Sequence, residues 1–240
     1  MNNKHQVHNL IILDESGSMQ SIKTTIIQGF NELVQTIQGI EKQFPEQEHF
    51  ISFVSFNSLG QKVLHFMEPA SKLKQIDDNS YMPDALTPLF DAMGFSMNKL
   101  KHALYGQTDC NVLVTILTDG AENASKEFSG NDIKKLVEEL KRSNWTFTYI
   151  GTDHDVEKIA SSLSINNTMT FAKNEADIKR MFLKEQSART GYSSKIRFNE
   201  DTSANYFDEP DDTTVKHIKS PTNIAPPNPK ISLWQKLFGS

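Results

Sequence analysis

The chain has 240 residues, 37% of them hydrophobic; an average domain carries about 45–50% on a similar count, so part of this length lies outside a core. A formal net charge of −5, with no basic stripe, excludes a dominant nucleic-acid surface. The lone cysteine, Cys110, excludes an internal disulfide and reads as a small buried hydrophobe, and no stretch reaches the roughly 18 apolar residues of a membrane span.

In chain order, Val7 to Leu13 is a short aliphatic run of the kind that forms a buried parallel strand. After the polar stretch DESGSMQ, apolar residues at Ile22, Ile26, Phe30, Leu33, Val34, Ile37 and Ile40 mark one face of a long helix. Phe50 to Phe56 predicts a second strand, and the turn Asn57–Gly60 lets residues 62–66 pair back as a hairpin. A loop bracketed by Pro83 and Pro88 leads to a helix marked by Leu89, Met93, Met97, Leu100 and Leu104. Asn111 to Leu117 is the strongest central-strand signal. It is followed by a helix (Ile133, Leu136, Val137, Leu140), a strand (Trp145 to Ile150) and a short helix (Val156, Ile159, Ala160, Leu163). A last strand (Met169 to Phe171) and a last helix (Ile178, Met181, Phe182) complete the series. Strands alternating with helices predict an α/β fold, a doubly wound, mostly parallel sheet covered by helices on both faces.

The character changes past residue 190. Apolar residues thin out, five of the nine prolines appear, and six acids with no base fall between Asn199 and Asp212. The expected division is a domain over 1–190, a flexible acidic and proline-rich linker over 191–229, and a hydrophobic peptide over 230–240. In that peptide Trp234, Leu237 and Phe238 stand at helical spacing, suited either to docking on a partner or to folding back. The opening MNNKHQVHN holds no apolar run of leader length, so the expected setting is cytoplasmic.

In an open α/β sheet, ligands sit beyond the carboxyl ends of the strands where strand order reverses. Asp14 ends the first strand and Asp119 ends the central one. Ser16 and Ser18 lie in the turn after Asp14, and Thr87 lies in the proline-bracketed loop. Two carboxylates, three hydroxyls and water form an all-oxygen donor set that suits a hard cation, Mg²⁺ or Mn²⁺. An ion held largely by neutral hydroxyls stays electron-poor and welcomes a carboxylate from a partner, so such a site suits binding more than chemistry. Each position taken singly also has an ordinary explanation. Ser18 or Ser21 can cap a helix, and Asp119-Gly120 can be a turn. Glu122 and Asn123 are candidates for the rim of the metal face, or for solvated loop positions.

LDESGSM after an aliphatic strand, LTPLFDAM before a helix and ILTDGAEN after a central strand resemble, in order and spacing, the von Willebrand factor A domain and its metal-ion-dependent adhesion site. The resemblance covers about Val7 to Lys184. It implies that Asp14, Ser16, Ser18, Thr87 and Asp119 are the metal-site residues. It further implies that the serines, and in one state the threonine, touch the ion directly while the aspartates act partly through water. It implies a central sheet with one antiparallel edge strand. Many bacterial relatives have Gly-Gly before the threonine, where this chain has Ala85-Leu86. The short style resembles bacterial, intracellular A-domain proteins of the tellurium-resistance-associated kind.

The expected function is therefore metal-dependent protein–protein recognition, with the cation bridging the five residues to an acidic side chain of a partner. No HExxH, GxxxxGK[ST], GxSxG or GxGxxG motif is present, and an enzyme is not expected. The alternatives are a Mg²⁺-dependent phosphohydrolase with Asp14 as nucleophile, which lacks a second acid two residues on, and a metal-free scaffold subunit.

Overall fold

The computed structural model describes residues 4–152 and 155–208. Six strands, β1 (His5–Asp14), β2 (Gln47–Asn57), β3 (Gly60–Pro69), β4 (Cys110–Thr118), β5 (Trp145–Gly151) and β6 (Asn167–Thr170), form one sheet in the order β3-β2-β1-β4-β5-β6. All neighbouring pairs are parallel except β2 with β3, which pair antiparallel across the turn ending at Gly60. The predicted fold class is what the chain adopts: a doubly wound, mostly parallel sheet with one antiparallel edge strand.

Five helices cover it: α1 (Lys23–Gln43), α2 (Leu89–Ala103), α3 (Gly130–Leu140), α4 (Val156–Ser162) and α5 (Glu175–Arg197). Alternation along β1 sends Leu10 and Ile12 to one face, against Met93 and Met97 of α2 and Ile133 and Val137 of α3. Ile11 and Leu13 go to the other, against Ile26 and Phe30 of α1 and Met181 and Phe182 of α5. With helices on both faces the central strands are buried throughout, which is why they read as unbroken aliphatic runs. The helix starts carry their own signals. Ser129 and Asp132 make a reciprocal capping box on α3, and Asn174 caps α5 through the Asp177 N–H. Gly29 lets α1 and α5 approach, because a Cβ there would lie 2.1 Å from the Phe182 ring.

The end of the domain differs from the sequence expectation. Helix α5 continues past residue 190 to Arg197, and residues 199–208 pack beside it with Tyr206 buried. The buried face of its second half is Glu185, Arg189, Tyr192 and Ser193, which carries little hydrophobic periodicity. Arg189 is held by Glu185, by Asn9 Oδ1 on β1 and by Thr115 Oγ on β4 (2.9 Å), while the Tyr206 hydroxyl donates to Glu185 Oε1 at 3.0 Å. The remainder of the expected linker, from residue 209, and the peptide with Trp234, Leu237 and Phe238 lie outside the described residues. Among the described residues no helix is long and apolar enough to cross a membrane.

Candidate metal centre

Strand β1 lies between β2 and β4, and the chain winds away from it in both directions, so the reversal of strand order falls between β1 and β4. Leu13 is paired with Leu117, which sets Asp14 beside Thr118 and brings Asp119 just beyond the same edge. Both carboxylates are buried. Asp14 Oδ1 accepts the Ser16 N–H at 2.8 Å, and Oδ2 accepts the Thr118 hydroxyl at 2.6 Å. The first contact closes the turn out of β1 and holds Ser16 extended before the 3₁₀ turn Gly17–Ile22. That turn brings the Ser16 and Ser18 hydroxyl oxygens to 3.1 Å from each other, and Ser18 donates to Asp119 Oδ1 at 2.5 Å.

Thr87 arrives from the loop before α2. A Cβ placed on Gly120 would lie 3.5 Å from Thr87 Oγ1 and 3.9 Å from Ser18 Oγ, so both hydroxyls close around the bare backbone that follows Asp119. The five residues singled out in the sequence thus meet at one place, from three loops separated by about a hundred positions. Among the described residues no three His, Cys, Asp or Glu side chains gather as a metal cluster, which leaves hydroxyls as the majority donors here.

Several residues that the sequence reading did not assign build this geometry. Glu15 turns away from Asp14 into its own buried nest. It accepts from Ser55 Oγ (2.6 Å), Lys62 Nζ (2.6 Å) and the Met82 N–H (2.5 Å). Its backbone joins Phe56 and Asp84, so one residue knits the turn after β1 to β2 and to the Thr87 loop. The Tyr81 hydroxyl donates to the Asp14 carbonyl at 2.7 Å. Asn123 clamps Thr87, its Oδ1 taking the Thr87 N–H at 2.9 Å while its own N–H donates to the Thr87 carbonyl. Glu122 faces inward, accepting from Phe90 N–H at the start of α2 and from Ala124 and Ser125, so it positions the loop and does not line a rim. Ala85, at the place of the second-last glycine in many relatives, takes φ of 64° and accepts the Gly17 N–H. A non-glycine residue held there costs about 1 to 3 kcal/mol and is met at sites the surroundings over-determine. Only Ala85 carried a signal in the sequence; the rest are contacts between distant segments.

Electrostatically the site is short of positive charge. Burial pushes the Asp14 carboxyl up to about 6, with the nearby Asp119 charge adding to it and the Thr118 and Ser16 hydrogen bonds opposing it. Asp119 Oδ2 is buried and outside any hydrogen-bonding geometry; its nearest cation is Lys173 Nζ at 3.1 Å. Two buried carboxylates, one with an oxygen that accepts no hydrogen bond, facing three neutral hydroxyls, fit the donor set of a hard divalent cation. Ser16, Ser18, Thr87, Asp14 and Asp119 are the residues that would hold it.

Comparison with known proteins followed from this geometry. The family model of the von Willebrand factor type A domain matches residues 10–188. No curated protein matches. Among solved structures, a von Willebrand factor type A protein from Catenulispora acidiphila is similar at TM-score 0.54 and 17% identity, over 78% of this chain and 43% of that one. The pilus adhesin SpaC from Lactobacillus rhamnosus GG, in an open conformation, is similar at 0.56 and 14%, over 79% and 30%. Proximal thread matrix protein 1 from the mussel byssus is similar at 0.50 and 12%, over 75% and 45%. The chain spans less than half the length of each, and likeness at these identities establishes the shared fold.

Proposed function

Because this chain belongs to the von Willebrand factor type A family, whose domains typically mediate protein–protein interaction, we propose that it is a recognition module working through a divalent cation, Mg²⁺ or Mn²⁺. The observation that carries the metal reading is the convergence of Asp14, Ser16, Ser18, Thr87 and Asp119 around the Gly120 backbone, with buried carboxylates short of positive charge. The cation supplies Lewis acidity toward an incoming acidic side chain. The chain's own residues supply the cradle: Asn123 fixes Thr87, Thr118 and the Ser16 N–H fix Asp14, and Glu15 ties the loops together.

The surroundings suit a protein surface. Leu86 precedes Thr87 and is 54% exposed; its N–H and carbonyl bond to Ser58, which places Leu59, 75% exposed, next to it. Met82, 53% exposed, is anchored through Glu15 in the same group of loops. Large apolar side chains standing in water beside a polar site mark an interaction surface. The fitting partner presents an acidic residue flanked by apolar ones. The phosphohydrolase alternative is less well supported, because both oxygens of Asp14 already accept hydrogen bonds and the side chain is fully buried, a poor posture for a nucleophile. The cytoplasmic, bacterial and tellurium-resistance-associated features of this proposal rest on the motif resemblance.

Isothermal titration of Mg²⁺ and of Mn²⁺ into chelator-stripped protein tests it, beside the Ser16→Ala/Ser18→Ala double variant. Binding by the wild type and its loss in a variant that still melts as a folded protein is the expected result. A wild type that takes up neither ion overturns the metal reading in favour of a metal-free scaffold.

A further inference from the structure

Lysine 173 sits in the turn between β6 and α5, and its Nζ stands 3.1 Å from Asp119 Oδ2, with the lysine side chain 25% exposed and the aspartate side chain fully buried. It brings a positive charge directly onto a carboxylate of the candidate metal centre. The other acid at this end of the sheet does not draw on it: Glu15 is balanced by Lys62 at 2.6 Å. The local balance is therefore Asp14 and Asp119 against one ammonium.

The consequence follows from charge counting and rests on the metal reading above. A divalent cation added to two carboxylates leaves the site neutral, and a neutral site has little electrostatic preference for an anionic ligand. With Lys173 included the loaded site carries one net positive charge in a buried setting, where Coulomb interactions are several-fold stronger than in water. The same ammonium repels the cation before it is bound. We propose that Lys173 sets the charge of this centre, so that it weakens the bare site's hold on a divalent cation and strengthens the loaded site's hold on a partner carboxylate. Cation and acidic ligand then reinforce each other, because the ligand's charge compensates the lysine, and by linkage each raises the other's affinity by the same factor. A lysine that merely neutralised Asp119 for folding would leave both affinities moving in the same direction or not at all.

The test is titration of Mg²⁺ into chelator-stripped wild type, Lys173→Gln and Lys173→Arg, at constant ionic strength, with chloride and then with acetate as the anion. Lys173→Gln is expected to bind Mg²⁺ about tenfold more tightly in chloride, from loss of one like charge at close range. Acetate is expected to tighten Mg²⁺ binding severalfold in the wild type and in Lys173→Arg, which keeps the charge, and to change it less than twofold in Lys173→Gln. Mg²⁺ binding by the wild type that Lys173→Gln leaves unchanged or weakens overturns this proposal and leaves the metal reading standing. Silence of all three proteins toward Mg²⁺ overturns both.

Discussion

Asp14→Asn separates what the site costs from what it does. Burial raises the Asp14 carboxyl from 3.8 to about 6, so keeping it ionised at neutral pH works against folding. Two pH units correspond to about 3 kcal/mol, an upper figure for the penalty that asparagine removes. The replacement keeps the local bonds. Its amide oxygen can accept the Ser16 N–H, and its amide N–H can donate to the Thr118 hydroxyl, whose proton has the Gly120 carbonyl as a second acceptor at 3.1 Å. In chelator at pH 7.5, urea unfolding is expected to place the variant about 1 to 3 kcal/mol above the wild type. The gap has a defined pH window. Between about 6 and 3.8 the folded wild type holds a proton that the unfolded chain does not, so wild-type stability rises relative to the variant as pH falls. The gap is full above 6 and closed below 3.8. Saturating Mg²⁺ reverses the order, since a ligand at a hundredfold its Kd adds about 2.7 kcal/mol to the protein that binds it and nothing to one that does not. A variant less stable than wild type in chelator at pH 7.5 would refute the charge-burial argument, and equal stabilisation of both by Mg²⁺ would refute Asp14 as part of the site.

Two further predictions concern the scaffold. Arg189→Met leaves Glu185 buried and uncompensated beneath α5 and is expected to lower stability by about 3 to 5 kcal/mol in urea unfolding, with Glu185→Leu/Arg189→Met recovering much of the loss. A loss under about 1 kcal/mol for the single variant would show that this network does not hold α5 to the sheet. Burial lowers His8 to about 4, and burial with the nearby Arg189 charge lowers His49 to about 3. The unfolded chain takes up these protons from about 6.5 downward while the folded chain does not, so the two groups remove about 2 kcal/mol between pH 6 and pH 5. Asp14→Asn is the right background for that measurement, because it silences the opposing titration; His49→Gln should halve the slope, and an unchanged slope would contradict the reading.

The strands, and the helices packed by aliphatic faces, were legible because burial on one or both sides of a layer leaves a period that survives in sequence. The second half of α5 was not, since its buried face is Glu185, Arg189, Tyr192 and Ser193, held by polar bonds to β1 and β4 that no local period announces. At the strand ends, Asp14, Ser16 and Ser18 sit within one turn, and the motifs around Thr87 and Asp119 stand in a recognisable order. What sequence could not supply was the set of partners across 30 to 100 residues: Asn123 on Thr87, Thr118 on Asp14, Tyr81 on the Asp14 carbonyl, Lys173 on Asp119. A residue chosen for a contact with a distant loop has no neighbour in sequence that betrays it.

The two consecutive acids of LDESGSMQ show how the chain treats a buried carboxylate when it is structural and when it is not. Glu15 is enclosed by a hydroxyl, an ammonium and a backbone N–H, all within 2.6 Å, and its backbone joins three segments. Nothing about it is left to be satisfied. Asp119, equally buried, accepts one hydroxyl on Oδ1 and leaves Oδ2 with an ammonium that misses hydrogen-bonding geometry. Asp14 is held on both oxygens yet stays poorly compensated in charge. A fold able to satisfy one acid so fully has no stereochemical need to leave the adjacent pair short. Such a deficit costs stability and persists where a ligand repays it. The positive φ of Ala85 lies in the same few loops, on the residue whose carbonyl accepts from Gly17 between the two serines. Strain and unbalanced charge thus coincide at the carboxyl ends of β1 and β4, where the sheet opens its crevice, and that coincidence makes the loops a binding surface.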